Sequence, residues 1–186
     1  SRGLGDVYKR QDYTYIMGSQ DKFGLFLMGI QNNGGSALRF SIEKSTGVDL
    51  IVDESPDSVT VSCFDPIRRQ VAINLLNDLI KDGRIHPARI ESLARKSQSD
   101  INKTIRKAGE DATFDSNVKG LPSEIIEIIG RLKYRYSYGE NVLQHSVEVA
   151  NFSALMAEEI GADVKVCRTG GFLHDIGKAC LLYTSP

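Results

Sequence analysis

The alternation of apolar and polar residues predicts two strands in the first half of the chain. Residues 48–53 and 58–63 alternate in this way, and Pro56 and Asp57 fall between them. Successive side chains of a strand point to opposite faces, so the pattern predicts a strand, a turn and a strand that pair in antiparallel fashion. Residues 23–30 form an apolar run that suits either a buried strand or the start of a helix.

Helical spacing of apolar residues surrounds these strands. Residues 37–46 predict a helix that ends at Gly47. Asp65 and Pro66 are typical of a helix cap and a first helical residue. The apolar positions of the helix they begin are Ile67, Val71, Leu75 and Leu79. Residues 25–86 therefore predict a small α+β unit, in which helices cover one face of a sheet.

From residue 87 onward the pattern is helical. Over residues 87–113 a thin apolar stripe is surrounded by arginine and lysine, which is typical of a linker helix that bridges two domains or pairs with a second copy. The stripe comprises Ile90, Leu93, Ile101, Ile105 and Ala108. The pattern over residues 114–179 predicts an all-α region. Within them, residues 141–160 predict a long helix, and Asp163 caps the next.

Composition agrees with a soluble globular chain. Hydrophobic residues make up 41% and charged residues 25% of 186 positions, enough for one or two small domains. The net charge of −1 excludes a global basic footprint, so a nucleic-acid site must be local. Cys63, Cys167 and Cys180 match no zinc spacing and indicate free thiols in a reducing compartment. No apolar run approaches membrane-span length, and we expect a soluble, cytoplasmic chain.

The strongest candidate chemistry lies at two helix ends. His145 lies near the start of one predicted helix, and His174 and Asp175 end the next, with a short Gly-Ala turn between the helices. Antiparallel helices so joined bring these ends together. We therefore expect the three side chains to converge on a divalent metal with open positions, which suits hydrolysis of a phosphate ester or phosphodiester. We also expect a sharp change of direction after the apolar run, which Gly177 permits.

Residues 131–139 interleave positive and aromatic side chains. The pattern suits a surface that grips phosphates and stacks on bases. It suits equally well an amphipathic helix end that packs through its tyrosines.

Several motifs, in order along the chain, resemble one family. NVLQHS at residues 141–146 and LHDIGK at 173–178 resemble the HD superfamily of metal-dependent phosphohydrolases. More narrowly, three further segments are similar to the ribonuclease Y family. They are CFDPIRR at 63–69, DGRIHPARIE at 82–91 and GRLKYR with the following SYG at 130–139.

The resemblance implies a KH-type α/β sandwich that binds RNA over residues 25–86, a helical linker over 87–113 and the N-terminal part of an all-α HD domain over 114–179. It implies an endoribonuclease that initiates mRNA decay by hydrolysing single-stranded RNA to 5′-phosphate products, with Mg²⁺ or Mn²⁺ as cofactor. It also implies a homodimer or higher oligomer, RNA-decay enzymes as partners, and attachment to the inner face of the plasma membrane by an N-terminal helix absent from this chain.

The resemblance assigns functional residues in both halves of the chain. His145, His174 and Asp175 match the metal ligands, and His174, Asp175 and Lys178 the catalytic residues; Lys178 is interpreted equally well as a surface lysine. The expected RNA contacts are Asn32, Gly34, Gly35, Ser36 and Arg39.

The chain departs from the family pattern in three places. Asn32 replaces the first glycine of the GxxG loop that clamps RNA. The family's final aspartate ligand has no counterpart, so we expect this chain to be weakly active or inactive. Residues 1–24 remain unassigned; residues 1–11 and the tail 180–186 resemble adapter-derived, non-native sequence and carry no fold prediction.

Two other functions fit the sequence. The chain is also interpreted as an RNA-binding and dimerising module without activity, or as an HD-type nucleotide phosphohydrolase. The KH-like unit favours RNA, because a nucleotidase has no need of it.

Overall fold

The computed structural model describes residues 13–16, 35–52, 59–82 and 86–180. The chain divides into two compact units, Ser1–Ile101 and Asn102–Pro186. Among the described residues, no helix is both long and apolar enough to cross a bilayer.

A three-stranded antiparallel sheet forms the first unit's framework. Its strands are β1 (Tyr13–Ile16), β2 (Asp49–Val52) and β3 (Val59–Ser62), in the order β1-β3-β2. Asp49 of β2 lies opposite Ser62 of β3, which confirms the predicted antiparallel pair. The predicted turn at Pro56 and the apolar run at 23–30 lie outside the described residues. The sequence pattern did not predict β1, because β1 lies within residues 1–24, which were left unassigned.

Two helices pack on this sheet. They are α1 (Gly35–Thr46), which begins two residues before the predicted start, and α2 (Pro66–Asp82). The Oδ1 of Asp65 accepts a hydrogen bond from the backbone N of Ile67 at 2.8 Å, so the predicted cap of α2 is confirmed. The shared core includes Ile42, Leu50, Val61, Leu75 and Leu79, each fully buried. Burial of these side chains is the main stabilisation of the unit.

The long helix α3 (Pro87–Asp115) contributes to the core of each unit. Its predicted apolar stripe is buried throughout, so the stripe packs within this chain. Ile90 and Leu93 belong to the core of the first unit, and Ala112 belongs to that of the second.

The described residues of the second unit, which end at residue 180, are helical apart from one small hairpin. Its elements are α4 (Ser123–Arg131), a 3-10 helix (Leu132–Tyr134), β4 (Tyr136–Ser137), β5 (Glu140–Asn141), α5 (Val142–Ile160), α6 (Val164–Leu173) and a second 3-10 helix (Ile176–Ala179). The core contains Val118, Ile129, Ala150 and Phe172. A Cβ on Gly130 would collide with the carbonyl oxygen of Ile105, so the backbones of α3 and α4 touch at this glycine.

Candidate metal centre

The start of α5 is held by Asn141, which fixes the place of His145 one turn later. The Oδ1 of Asn141 accepts from the backbone N of Leu143 at 3.1 Å and of Gln144 at 3.3 Å. Its Nδ2 donates to the carbonyl oxygen of Lys133 at 2.8 Å. Asparagine is a favoured N-cap because its side chain satisfies amides that have no partner inside the helix. The same residue therefore ties the helix start to the preceding 3-10 helix.

Helix α6 returns closely along α5 and brings its own end to His145. Gly161 has a φ of +68° and ends α5, and Asp163 caps α6 through the backbone N of Val166. A Cβ on Gly171 would lie 2.7 Å from the Oγ of Ser153 and 3.0 Å from the carbonyl oxygen of Val149. The two helices can approach this closely because residue 171 has no side chain.

His145, His174 and Asp175 converge as the sequence predicts. One ligand atom from each lies within 4.8 Å of the other two. The Oδ2 of Asp175 is 3.3 Å from the Nε2 of His174 and 4.0 Å from the Nε2 of His145. The imidazole rings meet edge to face, with centroids 5.2 Å apart. Two ring nitrogens and a carboxylate oxygen thus face one small volume.

Backbone contact sets the tautomer of His174. Its Nδ1 lies 2.7 Å from the carbonyl oxygen of Gly171. A carbonyl only accepts, so in the neutral ring Nδ1 has the proton and Nε2 has a lone pair toward the cluster. A ligating histidine is commonly oriented in this way. Gly171 therefore both admits the close helix contact and orients the histidine, a role that the sequence did not reveal.

Lys178 belongs to the same site. Its Nζ donates to the Oδ2 of Asp175 at 2.8 Å. Both side chains line a cavity of about 110 Å³ together with His145. The cavity also includes Ser137 and Tyr138, which lie in the predicted phosphate- and base-binding pattern at residues 131–139, and Glu140 and Val142, which were not predicted as site residues. The ammonium is thus placed beside the carboxylate, where an anionic ligand would meet it.

The chain changes direction after the apolar run, as predicted, but it does not turn at Gly177. The chain turns at His174 and Asp175, where the φ and ψ of Asp175 are −106° and 11°, and Gly177 lies inside the second 3-10 helix. Gly177 is not among the described glycines with positive φ. The turn needs no glycine because Asp175 reaches the sparsely populated bridge region itself.

The two interpretations of residues 131–139, in which positive and aromatic side chains interleave, apply to different tyrosines. Burial raises the pKa of Tyr134, as expected for a ring that packs against the fold. Tyr136 is 53% exposed and Tyr138 is 83% exposed. The segment therefore packs at its start and presents aromatic surface at its end.

The predicted RNA contacts belong to the first unit. Asn32 and Gly34 lie outside the described residues. Gly35 and Ser36 are the first residues of α1. Arg39 follows one turn later, and its Nε donates to the Oε1 of Glu43 at 2.9 Å.

The donor set fits a divalent metal. Two imidazole nitrogens and one carboxylate with further positions open are a known arrangement for catalytic first-row metals. Asp175 is only 17% exposed, so a cation there would be partly shielded from water. His145, His174 and Asp175 are the residues that could hold it.

Comparison with known proteins places these residues in a named domain. Residues 142–180 match the HD domain family. The chain is 55% identical to ribonuclease Y of Desulforamulus reducens over 139 residues, which are three quarters of its length. It is 54% identical to ribonuclease Y of Thermosipho melanesiensis and 56% identical to that of Pseudothermotoga lettingae over the same share. The chain spans about a quarter (27%) of the length of each of these relatives. No solved structure matches it significantly. Over three quarters of its length the chain is thus similar to ribonuclease Y, and its candidate metal cluster lies within residues that match the HD domain family.

Proposed function

We propose that this chain is part of a metal-dependent endoribonuclease that hydrolyses phosphodiester bonds of single-stranded RNA in mRNA decay. The convergence of His145, His174 and Asp175 within HD-domain sequence carries the proposal. Similarity to ribonuclease Y over three quarters of the chain supports RNA as the substrate.

The roles of the site residues follow from their geometry. His145, His174 and Asp175 would hold Mg²⁺ or Mn²⁺, which supplies Lewis acidity toward a phosphoryl oxygen and lowers the pKa of water. In the neutral ring of His174, the carbonyl oxygen of Gly171 places the proton on Nδ1, which leaves the lone pair of Nε2 for a metal. Lys178 would contact a nonbridging phosphate oxygen, since its ammonium lines the same cavity.

A cleavage assay with an excess of the protein over labelled RNA tests the proposal. Even weak activity is visible under these conditions. With Mn²⁺ we expect slow internal cleavage of single-stranded RNA, lost in His174→Ala. Mononucleotides and cyclic dinucleotides are expected to stay intact. Equal cleavage by His174→Ala, or preferential hydrolysis of nucleotides, would refute it. Mn²⁺-dependent RNA binding without any cleavage would instead support a binding module.

We further propose that residues 25–86 are a KH-like RNA-binding domain, followed by a linker over 87–113 and an HD domain over 114–179. Asn32, Gly34, Gly35, Ser36 and Arg39 would contact the RNA backbone. Attachment of the whole protein to the inner face of the plasma membrane, oligomerisation and association with RNA-decay enzymes extend this proposal by family resemblance.

Arg39 and Arg106 are a matched pair for testing the KH-like unit. Arg39 pairs with Glu43 at 2.9 Å and Arg106 with Glu110 at 3.0 Å, each four residues along an exposed helix face. A lost phosphate contact to single-stranded nucleic acid lowers the slope of log affinity against log salt by about 0.7. We expect that loss for Arg39→Gln and none for Arg106→Gln. Equal slopes for both variants would contradict the RNA role of Arg39.

A further inference from the structure

The β4–β5 hairpin lines the cavity that includes His145 and Asp175 of the candidate metal cluster. Ser137, Tyr138 and Glu140 of the hairpin line this cavity together with Asp175 and Lys178. The hairpin precedes residues 142–180, which match the HD domain. It is fixed to the start of α5 because the backbone N of Val142 donates to the carbonyl oxygen of Arg135 at 3.0 Å.

Tyr138 occupies an unfavourable backbone conformation at the tip of the hairpin. Its φ is +53°, and that of the following Gly139 is +88°. A two-residue hairpin turn with both angles positive is usually Asn-Gly, because bulky side chains are strained there. Apart from Asn117, Tyr138 is the one non-glycine residue with positive φ in the described part of the chain. Its side chain is 83% exposed, so little packing offsets the strain. Strained residues of this kind often serve a ligand.

We propose that Tyr138 is a base-stacking residue that holds the nucleobase next to the phosphodiester at the metal centre. The inference rests on the proposed ribonuclease function and names a further substrate contact for it. Tyr138 lines the same cavity as His145, Asp175 and Lys178, so a phosphate bound beside these residues would have its own base close to the tyrosine ring. Stacking on an aromatic ring accepts any base, because every base has a π-face.

The charges of the cavity explain why such a contact is needed. Glu140 and Asp175 are acidic, and Lys178 is the one lysine or arginine that lines the cavity in the described residues. The walls alone therefore attract a phosphodiester weakly. A stacked base adds affinity that does not depend on charge, and it selects single strands because duplex bases are already stacked and paired.

Fluorescence of a short single-stranded RNA that contains 2-aminopurine tests the inference with the full chain and Mn²⁺. Stacking quenches this base, so wild type is expected to quench it in a saturable, Mn²⁺-dependent manner. Tyr138→Asn supplies the preferred turn residue, and its melting temperature should equal or exceed that of wild type. Its affinity should fall roughly 5- to 150-fold, the loss expected when one aromatic stack of 1–3 kcal/mol is removed.

Two control variants separate stacking from fold effects. Tyr138→Phe keeps the ring and should quench like wild type. Tyr136→Ala removes the other exposed tyrosine of the hairpin, which does not line the cavity, and should also quench like wild type. If Tyr138→Asn quenched and bound as wild type does, the stacking role would be overturned while the ribonuclease proposal survived. If wild type bound no RNA with Mn²⁺, both proposals would fall.

Discussion

Lys178 and a bound metal ion would both contact the Oδ2 of Asp175, so substitution of this lysine tests the proposed site. Its Nζ lies 2.8 Å from the Oδ2 of Asp175, the same atom that faces both histidines. A resting ammonium therefore competes with a cation for the site. The side chain is 26% exposed, so its charge is only partly screened.

We predict that Lys178→Met binds Mn²⁺ more tightly and cleaves RNA more slowly. The gain in Mn²⁺ affinity should be about 1.4- to 5-fold, because exposed ion pairs contribute about 0.2–1 kcal/mol. Calorimetric titration measures the affinity, and single-turnover cleavage measures the rate. A surface lysine without function would leave both values unchanged, and that result would contradict the assigned role.

Cys63 offers a pH-dependent test in the first unit. Burial raises the pKa of its thiol, and its Sγ lies 3.7 Å from the carbonyl oxygen of Gly47. Since the thiolate is the reactive form, a raised pKa moves the alkylation profile to higher pH. We predict slower iodoacetamide labelling of Cys63 in the folded chain than in urea at the same mildly alkaline pH, measured by peptide mass spectrometry. Equal rates would show that the folded sheet does not bury this thiol.

The residues of the candidate metal cluster were predictable from the sequence, but the contacts that orient them were not. His145, His174 and Asp175 lie at helix ends whose connection is short, so topology alone brings them together. The carbonyl of Gly171 and the cavity wall at Tyr138 depend on backbone positions and side-chain directions that no spacing encodes. Lys178 was left between two interpretations because a lysine after a turn has no fixed partner in sequence.

At the scale of elements, the contact between α5 and α6 sets the geometry of the metal centre. Gly170 and Gly171 are adjacent in α6, yet their surroundings differ. A Cβ on Gly170 would meet nothing within 4 Å, whereas one on Gly171 would approach Ser153 and the backbone of α5. These two glycines form a matched pair of positions.

We predict opposite effects of alanine at these positions. Gly171→Ala should lower the free energy of unfolding by about 1–3 kcal/mol through overpacking and weaken Mn²⁺ binding, because His174 moves with the helix. Gly170→Ala should raise the free energy of unfolding by about 0.5–1 kcal/mol, since alanine restricts the unfolded chain and favours the helix. Denaturant unfolding measures both. If Gly171→Ala were as stable as Gly170→Ala, the close contact at residue 171 would be wrong.

The long helices and the β2–β3 pair were predictable, whereas β1 and the β4–β5 hairpin were not. Helices α2 and α5 extend over four or more turns, so their apolar periodicity and caps reinforce one another in the sequence. The β4–β5 hairpin has two residues in each strand, and β1 has four. Such elements depend on partners elsewhere in the chain, so local pattern does not mark them. The tyrosine-glycine turn also hid the hairpin, because tyrosine is an unusual choice there.

At the scale of the whole molecule, we propose that one unit binds the RNA backbone and that the other carries metal-dependent hydrolysis. The first unit holds the sheet and Arg39, and the second holds the cluster and its cavity. The central claim is that the cluster binds a metal, since hydrolysis depends on it. The chain contains three histidines, and His86 is exposed outside the cluster, which provides an internal control.

Calorimetric titration of Mn²⁺ into the chain and its histidine variants tests this claim most directly. We predict one site per chain in wild type and in His86→Asn, with equal affinity, because asparagine preserves a cap at the start of α3. His174→Ala should bind Mn²⁺ at least roughly 10- to 100-fold more weakly than wild type. The loss of a residue that only orients a metal ligand already costs that much affinity. Binding of equal strength in His174→Ala and wild type, or no binding by wild type, would contradict the account.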